Sequence, residues 1–321
     1  MRVGVNPEKL SPKKLEHKPH RVIIPVYIPN LSDDYYENQL DVLKLCLDSL
    51  LATTDKAATN ITVINNNSCS EVTMLLEDYF SKGKIEKLVR LSENRGKVEP
   101  VLSEAMASFE EYITISDADV FFRCGWLSET VKLFQVDNKV GVVSPLPVPH
   151  LYGYCNDACI SDNMCRGRLK WGKVVDTETL KEYEKSVGVN LLHQYYDRQC
   201  YFEKNSQKAI LGATHMVATY KNFFKQVPFK KVPYVFKNSL EKEFVDSLAQ
   251  RYGLWRVSTM QAYAYHMGNT FINEEISFLC DEKWILTGMK RPSIQNKAER
   301  MVKNICAKIY LKYMRRALKG Q

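Results

Sequence analysis

The chain has 321 residues, 45% hydrophobic and 26% charged, enough to bury a sizeable core in one large or two intimate domains. Its net charge of +8 sits at the ends: residues 290–321 hold ten Lys or Arg against Glu299, residues 1–20 hold five against two acids, and the body is mildly acidic. That balance argues against nucleic-acid binding through generic phosphate attraction, and no apolar run is long enough to span a bilayer.

Residues 1–20, rich in Lys, Pro and His, read as an extended lead-in. An apolar run over 22–27 predicts the first strand, and a polar loop over 29–34 follows it. Leu40, Leu43, Leu47 and Leu50 then recur at helical spacing. The pattern continues with a strand at 61–64, a helix at 71–81, a strand at 87–91, a helix at 98–109, a strand ending at Asp117, a helix at 126–135 and a strand at 140–143. Such alternation predicts an α/β fold: right-handed βαβ units around a mostly parallel sheet flanked by helices.

In that architecture ligands sit beyond the carboxyl ends of the strands. Those ends carry Pro25-Val26-Tyr27, Asn65-Asn66-Asn67-Ser68, Glu93-Asn94-Arg95-Gly96-Lys97 and Asp117-Ala118-Asp119. The set supplies a ring for stacking, amides, two cations and two carboxylates. Asp117 and Asp119 share one side by strand periodicity, and paired hard oxygens suit Mg²⁺ or Mn²⁺. The plainer alternative is a solvated turn after a strand, since Asp is a common turn former. Neither a Gly-x-Gly-x-x-Gly fingerprint after the first strand nor a P-loop is present, so phosphate would fall to metal and side chains.

The second half is less regular. Residues 209–219 read as one strand-like run whose Gly212 lets substrate or backbone approach closely. A helix over 239–252 has Ser239 as N-cap and Glu241 and Glu243 in its first turn, where capping alone explains the acids. His266 follows a strand-like stretch at 262–265, and a structural role competes there with a ligand role. Cys155, Cys159, Cys165 and Cys200, near His150 and His193, invite a zinc reading, but their spacing departs from paired zinc modules. The nine cysteines, odd in number and without a secretion signal, read as free thiols of a cytoplasmic protein. In the tail Val302, Ile305, Cys306, Ile309 and Tyr313 share one helical stripe among Lys303, Lys308, Lys312, Arg315 and Arg316. That helix either packs on the body or lies on an anionic lipid surface.

The order of these pieces resembles glycosyltransferase family 2 with its GT-A (Rossmann-like) fold, over roughly residues 21–269. The pieces are Ile24-Pro25-Val26-Tyr27, Asn65-Asn66-Asn67-Ser68 where the family usually has Asp-Asp-Gly-Ser, Asn94-Arg95-Gly96, Asp117-Ala118-Asp119, Gly212-Ala213, Glu241-Lys242-Glu243 and His266-Met267-Gly268-Asn269. The resemblance implies a nucleotide-sugar site at Pro25, Tyr27, Asn65, Arg95, Asp117 and Asp119. Tyr27 and Asn65 would meet the base, Arg95 the base or diphosphate, and Asp117 the ribose. Asp119 and His266 would hold Mn²⁺ or Mg²⁺. Glu241 or Glu243 would be the catalytic base, with Asp246 the third choice. The chain thus divides into a lead-in at 1–20, a half at 21–145 that the resemblance makes the donor half, one at 146–289 that it makes the acceptor half, and a basic amphipathic helix at 290–321. The expected activity is inverting, metal-dependent transfer from a nucleoside-diphosphate sugar, of UDP type, to a glycan or lipid-linked acceptor in surface polysaccharide assembly, on the inner face of a membrane. A sugar nucleotidyltransferase is the rival enzyme, but it should show a Gly-rich, Arg-containing loop after the first strand, which Pro25-Val26-Tyr27-Ile28-Pro29 is not. A non-enzymatic nucleotide- or nucleic-acid-binding protein is the remaining alternative.

Overall fold

A computed structural model describes residues 4–11, 13–228, 230–270 and 294–319. The close of the expected acceptor half, residues 271–289, and positions 290–293 and 320–321 of the expected tail lie outside them.

The first half follows its predicted alternation apart from one added strand, at 120–122: β1 (His20–Val26), α1 (Gln39–Ala52), β2 (Thr59–Asn65), α2 (Ser70–Ser81), β3 (Lys87–Arg90), α3 (Val98–Ala107), β4 (Tyr112–Ser116), β5 (Val120–Phe122), α4 (Trp126–Val136) and β6 (Val140–Ser144). Then come α5 (Asp157–Met164), β7 (Leu169–Gly172), α6 (Thr177–Val187), β8 (Gln199–Lys204), β9 (Gln207–Leu211) and β10 (Val217–Lys221). The chain closes with α7 (Leu248–Arg251), β11 (Trp255–Ser258), β12 (Ala264–His266) and α8 (Lys297–Lys319). Among the described residues no helix is long and apolar enough to cross a membrane.

Ten strands form one sheet in the order β3-β2-β1-β4-β10-β6-β11-β9-β8-β7, while β12 pairs with β5 in a second, small one. Only β10, β9 and β7 oppose the common direction, so the sheet is mostly parallel with helices on its faces. Val22, Ile23, Ile24 and Val26 of β1 are all buried, as expected for a strand covered on both sides. β1 stays paired with β2 up to Val26 but leaves β4 after Ile23, opposite Ile115. Pro25, which has no N–H to donate, therefore stands where the β4 ladder has already ended. The order reverses at β1, and the two strands part there into a crevice at the sheet's carboxyl end.

A buried polar chain crosses the same strands. The His20 ring contacts Thr59 Oγ1 at 3.0 Å and Thr114 Oγ1 at 2.7 Å, and Thr114 Oγ1 reaches Thr219 Oγ1 at 2.7 Å. Burial lowers the His20 pKa to about 3, so the ring is neutral and bridges hydroxyls rather than carrying charge.

Several expectations change here. The run at 209–219 is two strands, β9 and β10, broken after Leu211. Gly212 has φ +109°, and a Cβ there would meet the Leu151 carbonyl carbon at 2.8 Å, so the glycine admits backbone. Ser239 has φ +73°; its carbonyl accepts from Glu243 N–H at 3.0 Å, and no side-chain cap forms. The helix that follows opens with a wide turn of π type over Lys242–Asp246 before α7. Asp246 lies in that turn, fully buried and paired with Arg256 at 2.8 Å, while the Tyr154 hydroxyl donates to it at 3.0 Å. Asp246 is thereby occupied as an anchor, which removes it as a candidate base.

Cys124 is disulfide-bonded, contrary to the expectation of free thiols, and such bonds are usual in oxidising compartments. Cys155, Cys159, Cys165 and Cys200 are free, and no three His, Cys, Asp or Glu side chains gather as a metal site among the described residues. α8 packs Ala307 and Met314 inward, while Val302, Ile305, Ile309 and Tyr313 are all at least half exposed. The apolar stripe read in the tail thus faces away from the body.

Candidate active site

The crevice between β1 and β4 opens into a cavity of about 320 Å³ lined by Pro25, Tyr27, Asn66, Lys97, Asp117 and Asp119. Tyr35, Tyr36 and Phe236 complete an aromatic wall, with the Phe236 ring 6.4 Å from that of Tyr27. Its polar floor is set by the ends of four elements.

Asp117 follows β4 directly and donates its N–H to the Met216 carbonyl, 2.7 Å away, just before β10. Its carboxylate pairs with Lys97, whose ammonium also reaches the His215 carbonyl at 3.4 Å. Asp119 is fixed by the small sheet: β12 lies antiparallel on β5 with His266 opposite Val120, and Met267 N–H donates to the Asp119 carbonyl at 2.7 Å. His266 Nε2 therefore stands 3.3 Å from Asp119 Oδ2. Asp119 Oδ1 and His266 Nδ1 are both buried without a hydrogen-bond partner. A buried carboxylate oxygen without a donor is costly, and its lone pairs suit a hard cation.

The electrostatics agree. Burial raises the Asp117 pKa, Lys97 opposes the shift and Asp119 adds to it, with a net rise. Burial would lower Lys97, but the charge of Asp117, backed by Glu241 and Asp119, raises it. Burial also pulls His266 down, and the hydrogen bond and charge of Asp119 outweigh it. The rim thus sets two carboxylates against two basic groups, each holding the other's charged form.

Asn66 holds the neighbouring turn. Its Nδ2 donates to Asn94 Oδ1 at 2.9 Å and to the Gly96 carbonyl at 3.0 Å, and its Oδ1 accepts from Arg95 N–H at 2.9 Å. Gly96 has φ +72°, and a Cβ there would meet the Val235 carbonyl oxygen at 2.1 Å, so the segment bearing Phe236 can lie across the turn only over glycine.

The residues expected at the site divide. Pro25, Tyr27, Asp117 and Asp119 line the cavity, and His266 meets Asp119. Asn65 does not line the cavity: its Nδ2 donates to Thr73 Oγ1 at 2.9 Å and its Oδ1 accepts from Ser68 N–H at 2.9 Å, leaving its neighbour Asn66 on the rim. The Arg95 side chain is half exposed and paired with Glu93 at 3.2 Å and Glu99 at 3.5 Å, outside the cavity lining. Glu241 is half-buried and close enough for its charge to act on Lys97. Glu243 is exposed and lines a separate small cavity with Phe244 and Leu248. Sequence reasoning missed Lys97 as Asp117's partner, and Phe236, whose only signal was a pair of aromatics in a Pro- and Lys-rich loop.

A Rossmann-like sheet with two carboxylates and an aromatic wall at its switch point has its crevice where open α/β sheets bind ligands. Residues 22–150 match the family described as Glycosyl transferase family 2. No curated protein matches the chain. Among solved structures it is similar to residues 1-349 of S. aureus TarS in complex with UDP-GlcNAc, at 14% identity and TM-score 0.45, covering 80% of this chain and 62% of that one. It is also similar to the mannosyltransferase PcManGT from Pyrobaculum calidifontis in complex with GDP-Man and Mn²⁺, at 14% identity and TM-score 0.42, covering 76% and 57%. In both cases the chain spans less than two thirds of the solved protein.

Proposed function

We propose that the chain is an inverting, metal-dependent glycosyltransferase that moves a sugar from a nucleoside-diphosphate sugar, of uridine type, to a glycan or lipid-linked acceptor in surface polysaccharide assembly. The observation that carries this reading is the partnerless, buried Asp119 Oδ1 beside His266, in a crevice whose other wall is aromatic. Asp119 and His266 are the residues that would hold Mg²⁺ or Mn²⁺. With only these two side chains, the remaining donors would come from phosphate and water, as is usual for Mg²⁺. When bound, the ion supplies positive charge for the leaving diphosphate.

The chain's own groups do the rest. Tyr27 and Phe236 offer faces to the base, Asp117 accepts from the ribose hydroxyls, and Lys97 brings a cation to the diphosphate side. Glu241 takes the proton of the acceptor hydroxyl as it attacks the anomeric carbon from the face opposite the diphosphate. A single displacement inverts that centre. The nucleotidyltransferase alternative has little support, because Pro25-Val26-Tyr27-Ile28-Pro29 ends a buried strand and forms no phosphate loop.

A thermal-shift panel of UDP, GDP, CDP and dTDP, each with Mn²⁺, Mg²⁺ or chelator, tests the donor site. UDP with metal is expected to stabilise the protein, by about 2.7 kcal/mol at a hundredfold excess over Kd, and chelator to remove the effect. Folded protein that responds to no nucleotide overturns the reading.

The outward stripe of α8 supports a peripheral location on a membrane surface. Ile305 and Ile309 are 50% and 63% exposed, and Lys308, Lys312 and Arg316 are exposed beside them. Liposomes containing phosphatidylglycerol are expected to sediment the full chain and to release the Ile305→Glu/Ile309→Glu variant. Equal sedimentation of both proteins removes this part of the proposal.

A further inference from the structure

A second cavity, of about 470 Å³, lies away from the donor crevice, between the turn that follows β6 and the last turns of α8. Gly153 lets α8 close over that turn, because a Cβ there would meet the Leu311 side chain at 2.9 Å. Two permanent cations face the space: Lys242, its ammonium 5.4 Å from the Tyr154 ring centroid, and Arg315 of α8. His150 joins them with its Nδ1 buried and partnerless. No carboxylate lines the cavity among the described residues. Asp246, which accepts from the Tyr154 hydroxyl, is already neutralised by Arg256. Glu184, beyond His150, accepts from Leu192 N–H and the Tyr196 hydroxyl.

Two like charges and a partnerless imidazole nitrogen around one space that no carboxylate lines, among the described residues, form a receptor for an anion. Tyr152, Tyr154 and Tyr195 give the same space aromatic walls suited to the less polar faces of a sugar or a lipid stem. Lys242 follows Glu241 in the chain, so one wide turn carries both a cation of this cavity and the group that would deprotonate the acceptor. From this juxtaposition we infer that the cavity around Lys242, Arg315 and His150 binds a phosphate group carried by the acceptor, making the acceptor a phosphorylated glycan or a phosphate-bearing lipid. The acceptor assignment rests on the proposed transferase reading; the anion site does not.

Calorimetric titration of the full chain with inorganic pyrophosphate in the presence of chelator tests the site apart from metal-dependent nucleotide binding. Wild type and Asp119→Ala are expected to bind alike. Lys242→Ala and Arg315→Ala should each weaken binding about tenfold or more, while Lys242→Arg and Arg315→Lys retain most of it. Competition by glucose 1-phosphate marks a glycan-borne phosphate, and competition by phosphatidylglycerol vesicles a lipid-borne one; either supports the site. Folded wild type that does not bind pyrophosphate, or a Lys242→Ala/Arg315→Ala variant that binds it undiminished, overturns the inference. Fold is checked by circular dichroism and by the UDP–metal thermal shift. Loss of that shift in wild type with pyrophosphate binding intact would discard the transferase reading and leave the anion site standing.

Discussion

Asp119→Ala is expected to abolish sugar transfer and metal-dependent nucleotide binding together. Asp119 is the carboxylate whose Oδ1 is buried without a partner and whose Oδ2 faces His266 Nε2. Removing it takes away the only carboxylate, among the described residues, in contact with that imidazole and the anion that would hold a cation against diphosphate. The loss should be on the order of 10³-fold or more in kcat/KM, about 4 kcal/mol of transition-state stabilisation. Because Asp119 also orients β12 through its main chain, which the substitution keeps, folding should be nearly unaffected. The check is a paired measurement of turnover and of the UDP–Mn²⁺ thermal shift. A variant that retains the metal-dependent shift would show that the cation is held elsewhere.

Glu241→Gln should separate what Asp119→Ala joins. Glutamine keeps the size of the side chain and its capacity to accept a hydrogen bond but cannot take a proton at neutral pH. Donor binding and its metal dependence are expected to persist while kcat falls about 10²- to 10⁴-fold, the usual worth of a positioned general base. Glu243→Gln, altering an exposed side chain that lines another cavity, should leave kcat within a few-fold of wild type. A Glu241→Gln protein that turns over at the wild-type rate would transfer the role to Glu243 or to a group not yet considered.

The sequence made the donor half legible because its strands are buried on both faces and read as apolar runs between turn residues. Thus β2, predicted at 61–64, spans Thr59–Asn65, and α2, predicted at 71–81, spans Ser70–Ser81. The carboxylates were legible for the same reason, since a buried strand ending in acids points them at its tip. Which asparagine faces the ligand was not: Asn65 and Asn66 are neighbours at the end of β2, and only Thr73 and Ser68, reached through tertiary folding, draw Asn65 away. The break at Gly212 was hidden because both flanks are apolar, and what forces it is the backbone at Leu151, distant in sequence. The wide turn at Lys242–Asp246 likewise coincides with the pull of Arg256 on Asp246, a buried pair that no local pattern announces.

The strand that delivers Asp117 acquires its second neighbour late. β4 is bordered on one side by β1 and on the other by β10, which belongs to the half of the chain beyond the matched segment. On a ribosome, residues 1–150 would emerge with every donor carboxylate in place but with β4 presenting a bare, apolar edge, a template for mispairing. The pairing that seals it is long-range, and such contacts form slowly. The two halves of the chain should therefore behave as one cooperative unit, and an excised segment of residues 1–150 would need a chaperone or a solubilising partner to stay in solution.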